Sequence, residues 1–195
     1  MRAHPDRINA AGLFCTSYMV SNGQGGTTAT SLDISVQHLN PVYRFFDTHT
    51  GDHFYTISAV EKAQIQQTLP RYNYEGASWA TPDKGAGTTD VFRFFDTGTN
   101  THFFTTDVGE RDQIVKTLPN YHYEGVAFEA YASPSDAGSG GLTLERFFNT
   151  QTGQHHFAGN AEEATGINHG AAGPGWVDEG AGFTVHVPTD GMLHA

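Results

Sequence analysis

Residues 42–47, Val-Tyr-Arg-Phe-Phe-Asp, set Tyr43 and Phe45 on one side of an extended chain and Arg44 and Phe46 on the other. Aromatic and β-branched residues in that alternation predict a half-buried strand. Gly51 follows in a polar turn, and "HFYT" then predicts a second strand, so the stretch is expected to close as a hairpin. Next comes Ser58 with Glu61 three residues later, the spacing of a helix N-cap with a capping-box partner. Ile65 and Leu69 give that helix an apolar i, i+4 stripe, and Pro70 stops it. A last strand is expected to begin at the Glu-Gly of "YNYEGASW".

The same order recurs. Residues 42–79 align without a gap on 91–128, about half of the positions being identical, and a worn third copy runs from Leu144 to Phe183. Gly51 becomes Asn100 and Gly153, residue types that tolerate positive φ. The helix cap becomes Asp107 with Glu110, then Asn160 with Glu163. In the third copy Gly166, Gly170 and "GPG" are expected to shorten the helix. A fixed internal period decides architecture before any motif does. It predicts an α+β fold of three ββαβ repeats (42–82, 91–133 and 144–186) in one pseudo-threefold, β-rich domain spanning 42–195. Units of roughly 45 residues rarely bury enough apolar area to fold alone. Residues 1–41 do not match the repeat and read as an extension whose "TTATSLDISVQHL" predicts one more strand.

The string RFFDTxTGxHFYT, a capped helix, then LPxYxYEGxxW resembles a tandem-repeat family of unassigned function. Its members stand alone or are appended to bacterial and fungal extracellular hydrolases. The likeness covers residues 42 to about 183. It implies a secreted or cell-surface accessory module that binds glycans, and supplies no catalytic set. The third copy departs from the pattern at Asn149, His156 and the glycine-rich helix.

Charge narrows the partners. A formal charge of −11 opposes nucleic-acid phosphates and anionic membranes. No segment approaches the roughly 20 apolar residues of a membrane span; "AAGLFCTSYMV" is too short and too polar to serve as a signal core. Cys15 is the single cysteine, so packing and hydrogen bonds must hold the fold.

Four polar types persist through all copies: Arg44, Arg93 and Arg146; His53, His102 and His155; Glu75, Glu124 and Glu179; Thr48, Thr97 and Thr150. Arg and Glu are expected to pair between the first and last strands of each copy, with His beside them, because buried charges survive only when paired. No catalytic residues are assigned: Asp52 and Ser58 near His53 become Thr101 and Asp107, then Gln154 and Asn160. Three axial histidines would make a zinc set, but they lack ligand spacing, so neither metal nor cofactor is expected. Acidic clusters dense enough for calcium are missing.

The expected function is therefore a non-catalytic, lectin-like or adhesin module with several weak glycan sites. Ligand candidates are Asp47, His53, Tyr74 and Trp79, with Asp96, His102, Tyr123 and Phe128 as their counterparts, since sugar sites combine an aromatic face with a few polar groups. The alternative is a structural or protein-interaction module, as a homo-oligomer or within a larger parent protein, that positions a neighbouring domain or fibre tip.

Overall fold

The computed structural model describes residues 13–21, 27–35, 38–189 and 191–192. The chain forms two compact units, 1–38 and 39–195. In the first, β1 (Leu13–Ser21) pairs antiparallel with β2 (Thr27–Ser35), from Leu13 opposite Ser35 to Ser21 opposite Thr27. β2 carries "TTATSLDIS" and β1 carries "LFCTSYMVS".

The second unit is β-rich with three short helices. A hairpin, a helix and a long strand follow one another as β3 (Leu39–Asp47), β4 (His53–Thr56), α1 (Ala59–Thr68) and β5 (Tyr72–Pro82). Then come β6 (Thr88–Asp96), β7 (Thr101–Thr105), α2 (Val108–Thr117) and β8 (Tyr121–Tyr131). Last are β9 (Gly141–Asn149), β10 (His155–Ala158), α3 (Ala161–Asn168) and β11 (Trp176–His186). All ladders of the open sheet are antiparallel, and β11 joins the groups by pairing with β9, β8 and β5.

The alternation in the first strands decides the layers. Val42, Val91 and Leu144 enter one central core with Tyr55, Phe104 and Phe157 from the second strands and Trp79, Phe128 and Phe183 from the last. Tyr43 and Phe45 turn the other way, under α1, where they meet Phe54 and Ile65. Phe92, Phe94, Phe103 and Ile114 do the same under α2. Leu69 and Leu118, expected to complete the buried helix stripes, are instead about 40% exposed at the helix ends.

Each helix is capped where its sequence predicts: Ser58, Asp107 and Asn160 accept from the backbone N–H of Glu61, Glu110 and Glu163. In α1 and α2 a strand threonine takes the reciprocal half of the capping box. Ser58 N–H donates to Thr56 Oγ1 and Asp107 N–H to Thr105 Oγ1, which leaves the helix glutamates for other partners.

The Glu-Gly pair does not open the last strand but interrupts it. Arg44 lies opposite Gly76 and Phe45 opposite Tyr74, so Glu75 is the extra residue of a β-bulge, and Gly76 after it has φ 96°. Glu124 and Glu179 occupy the same position in β8 and β11. The bulge turns each carboxylate toward the arginine of the neighbouring first strand.

Among the described residues no helix is long and apolar enough to cross a membrane, which leaves strand-built spans undecided.

Candidate functional site

Three clefts repeat one constellation. Arg44 Nε is 2.7 Å from Glu75 Oε2 without an aligned hydrogen bond, Arg93 Nε 2.8 Å from Glu124, and Arg146 Nε 2.8 Å from Glu179. The Nε2 atoms of His53, His102 and His155 lie 3.4, 3.7 and 3.8 Å from the same three carboxylates. Each guanidinium also reaches a helix of a different group. Arg93 donates through both terminal nitrogens to Glu61 on α1 at 3.1 and 3.2 Å, Arg146 to Glu110 on α2 at 3.0 Å, and Arg44 to Glu163 on α3 at 3.4 Å. The links close a ring: β3 to α3, β9 to α2, β6 to α1.

A cleft opens at each link. That between α1 and β6–β7 measures about 430 Å³ and is lined by Glu61, Leu69, Tyr72, Arg93, His102 and Glu124. The second, between α2 and β9–β10, measures about 260 Å³ and presents Glu110, Leu118, Tyr121, His155 and Glu179. The third, between α3 and β3–β4, is the largest at about 690 Å³, with Phe46, His53, His156, Glu163 and Trp176 among its walls. Gly166 in α3 and Ala171 after it line this cleft, where the aligned positions of the other copies carry Gln64 and Leu69, then Gln113 and Leu118. Tyr72, Tyr121 and Trp176 each show part of a ring to the opening.

Burial governs the protonation of these groups. Desolvation lowers His53 to about 3, with His156 and Arg44 adding to the shift, and desolvation lowers His102 and His155 to about 4. For Glu163 burial acts upward but is overcome by hydrogen bonds from His156 and the Gly159 N–H, which hold it at about 2.

The expected site residues divide. His53 and His102 line clefts. Tyr74 packs against Phe45, and Tyr123 against Phe94 while nearly half exposed, but neither lines one of the three clefts. Trp79 and Phe128 belong to the central core and offer no surface to a ligand. Asp47 and Asp96 are buried as turn residues: Asp47 accepts from the His49 N–H and pairs with Arg71, while Asp96 accepts from the Gly98 N–H and Thr99. Thr48, Thr97 and Thr150 fasten these turns to the backbone carbonyls of Arg71, Asn120 and Gly175. The hairpin tips meet one another, with the His102 N–H donating to Asp52 Oδ2 at 2.9 Å and Gln154 donating to the Thr50 carbonyl. Desolvation in that cluster raises Asp52 to about 7.

The repeated histidines do not converge on one point, and among the described residues no three His, Cys, Asp or Glu side chains are grouped to hold a metal. Sequence reasoning missed the helix glutamates as ion-pair partners and Trp176 as a cleft wall. A signal for Trp176 was available, since it aligns with Tyr72 and Tyr121.

A family model described as a domain of unknown function (DUF5648) matches residues 20–131, more than half of the chain. The match takes in β2 through β8 and stops before β9. Comparisons with curated proteins and with solved structures gave no match.

Proposed function

The chain belongs to the DUF5648 family, and from that footing we propose that it is a non-catalytic carbohydrate-binding module, lectin-like or adhesin-like, acting outside the cell. In this reading three ββαβ repeats stand about a pseudo-threefold axis and hold ligand in the clefts between neighbours. The observation that carries it is the pairing, in each cleft, of one partly exposed ring (Tyr72, Tyr121 or Trp176) with hydrogen-bonding carboxylate and imidazole groups. An aromatic face takes the C–H side of a pyranose while fixed polar groups take its hydroxyls. The arginine ties hold those groups in place before ligand arrives, which lowers the ordering cost of binding. Related weak sites on one body gain avidity on a repetitive glycan surface, by roughly 10²- to 10⁴-fold where geometry permits.

A glycan array tests the proposal, with wild type beside Trp176→Ala and Tyr72→Ala. The expected result is enrichment of one saccharide class, weakened at least tenfold by either variant. No enrichment at protein concentrations where multivalent weak binding registers overturns it. The alternative, a protein-interaction module, draws on the exposed Val108 and Val115 of α2 and Tyr123 and Val126 of β8. It predicts self-association in light scattering and no saccharide dependence.

A further inference from the structure

In the cleft under α3 one buried ring is exchanged relative to its two counterparts. Where Phe54 packs on His102 at 4.7 Å and Phe103 on His155 at 4.6 Å, the aligned His156 packs on His53, centroids 4.8 Å apart. The exchange brings His156 Nδ1 to 3.2 Å from His53 Nδ1. In the neighbouring cleft His102 Nδ1 is buried and meets no partner. The outer nitrogens face carboxylates: His156 Nε2 lies 3.0 Å from Glu163 Oε1 and His53 Nε2 3.4 Å from Glu75 Oε2. A carboxylate only accepts, so the Nε2 proton of His156 belongs on the Glu163 side, which directs its Nδ1 lone pair at His53 Nδ1. With the His53 proton on Nε2 as well, toward Glu75, two lone pairs face each other across 3.2 Å, and an electron-poor ion between them would accept both.

We propose that His53 and His156 form a two-histidine site for a divalent transition-metal ion of the imidazole-preferring kind, zinc or copper. Two imidazole nitrogens on one tetrahedral zinc, each at 2.0–2.1 Å, stand about 3.3 Å apart. That is the spacing the two Nδ1 atoms already hold. A carboxylate on the far nitrogen of a metal-bound histidine fixes its tautomer and raises its basicity, and both rings have one. Charge agrees: beside two neutral imidazoles Glu75 and Glu163 share one guanidinium, that of Arg44, which leaves one negative charge next to the pair. With two protein ligands the other positions fall to water, the pattern of an exchangeable ion rather than a closed structural one. The site does not depend on the carbohydrate reading.

Untagged, chelator-treated full-length protein is titrated with Zn²⁺ by calorimetry and with Cu²⁺ by electron paramagnetic resonance. The expected result is one equivalent bound, with hyperfine coupling to two imidazole nitrogens. His156→Phe installs the ring already used at 54 and 103 and should weaken binding at least tenfold, as should His53→Gln. His102→Gln, in another cleft, should leave it unchanged. Absence of stoichiometric binding, coupling to fewer than two nitrogens in wild type, or unaltered binding in a folded His156→Phe protein overturns the site. The hyperfine measurement needs no variant, so it decides the matter even if a substitution unfolds the chain.

Discussion

Arg93 and Glu61 belong to different hairpin–helix groups, yet they make a two-pronged contact, both terminal guanidinium nitrogens lying within 3.2 Å of the carboxylate oxygens. The pair ties β6 to the first turn of α1. Its arginine also holds Glu124 on the β8 bulge, so one guanidinium bridges two carboxylates in the same cleft.

Removing that cation should therefore cost more than a surface ion pair does. Arg93→Met leaves Glu61 and Glu124 without it, and we expect a loss of about 2 kcal/mol, between that of a surface pair and that of a fully buried one, because the carboxylates keep about a third of their surface. Adding Glu61→Gln and Glu124→Gln to the same chain should restore part of the loss. Urea unfolding of the three proteins measures both steps; an Arg93→Met midpoint equal to wild type would place the ion pair among ornamental ones.

The caps show what was legible in the sequence and what was not. Ser58, Asp107 and Asn160 act through backbone atoms three residues away, so local spacing revealed them. The destination of Glu61 and Glu110 depends on a strand more than thirty residues distant, brought near by packing that no local pattern encodes. For the same reason Asp47 and Asp96 read as exposed ligand groups although their turns bury them, and Trp79 read as a platform although the core closes over it. Asp107→Ala should cost about 1 kcal/mol through the lost cap. Glu110→Ala should cost a comparable amount through Arg146, visible in a double-mutant cycle with Arg146→Met as a coupling that Asp107→Ala lacks.

Gly125 gives a test of the bulge free of side-chain crowding. Its φ is 99°, and a Cβ built there meets nothing within 4 Å. Any penalty of Gly125→Ala is thus conformational, expected at about 1–2 kcal/mol because an L side chain disfavours positive φ. Thermal unfolding reads the loss. A neutral substitution would show that the bulge relaxes and that Glu124 does not need it.

Acid should loosen the fold through the buried histidines. His102 and His155 titrate near 4 in the folded chain, against an ordinary 6.5, because burial disfavours the imidazolium. Between those values the unfolded chain binds more protons, so stability is full above pH 6.5 and declines as pH falls toward 4. Glu163, held at about 2, adds a loss below its ordinary 4.5 that continues toward pH 2. Asp52, raised to about 7, binds its proton first in the folded chain and so opposes the histidines in this window; folding free energy should fall between pH 6.5 and 4 by less than the histidines alone would give, and His102→Gln should flatten part of the slope.

The two tryptophans separate core from cleft in one spectrum. Trp79 is fully buried against Tyr55 and Phe183, whereas Trp176 lines the cleft under α3 and donates its indole N–H to the Ala172 carbonyl at 3.2 Å. Acrylamide should quench about one of the two emitters, the redder one, and Trp176→Phe should remove that component while leaving the melting transition within about 1 kcal/mol of wild type, as expected for a ring held at the edge of the packing. Trp79→Ala should instead cost about 3–5 kcal/mol, the range for emptying a large aromatic site in a closed core. Because Trp176 faces the same cleft as His53 and His156, its emission also reports occupancy there: a saccharide on its face should shift the emission, and Cu²⁺ near the pair should quench it, while Trp79 stays dark to both. Equal accessibility of the two indoles would contradict the division between a sealed centre and open clefts on which the binding reading rests.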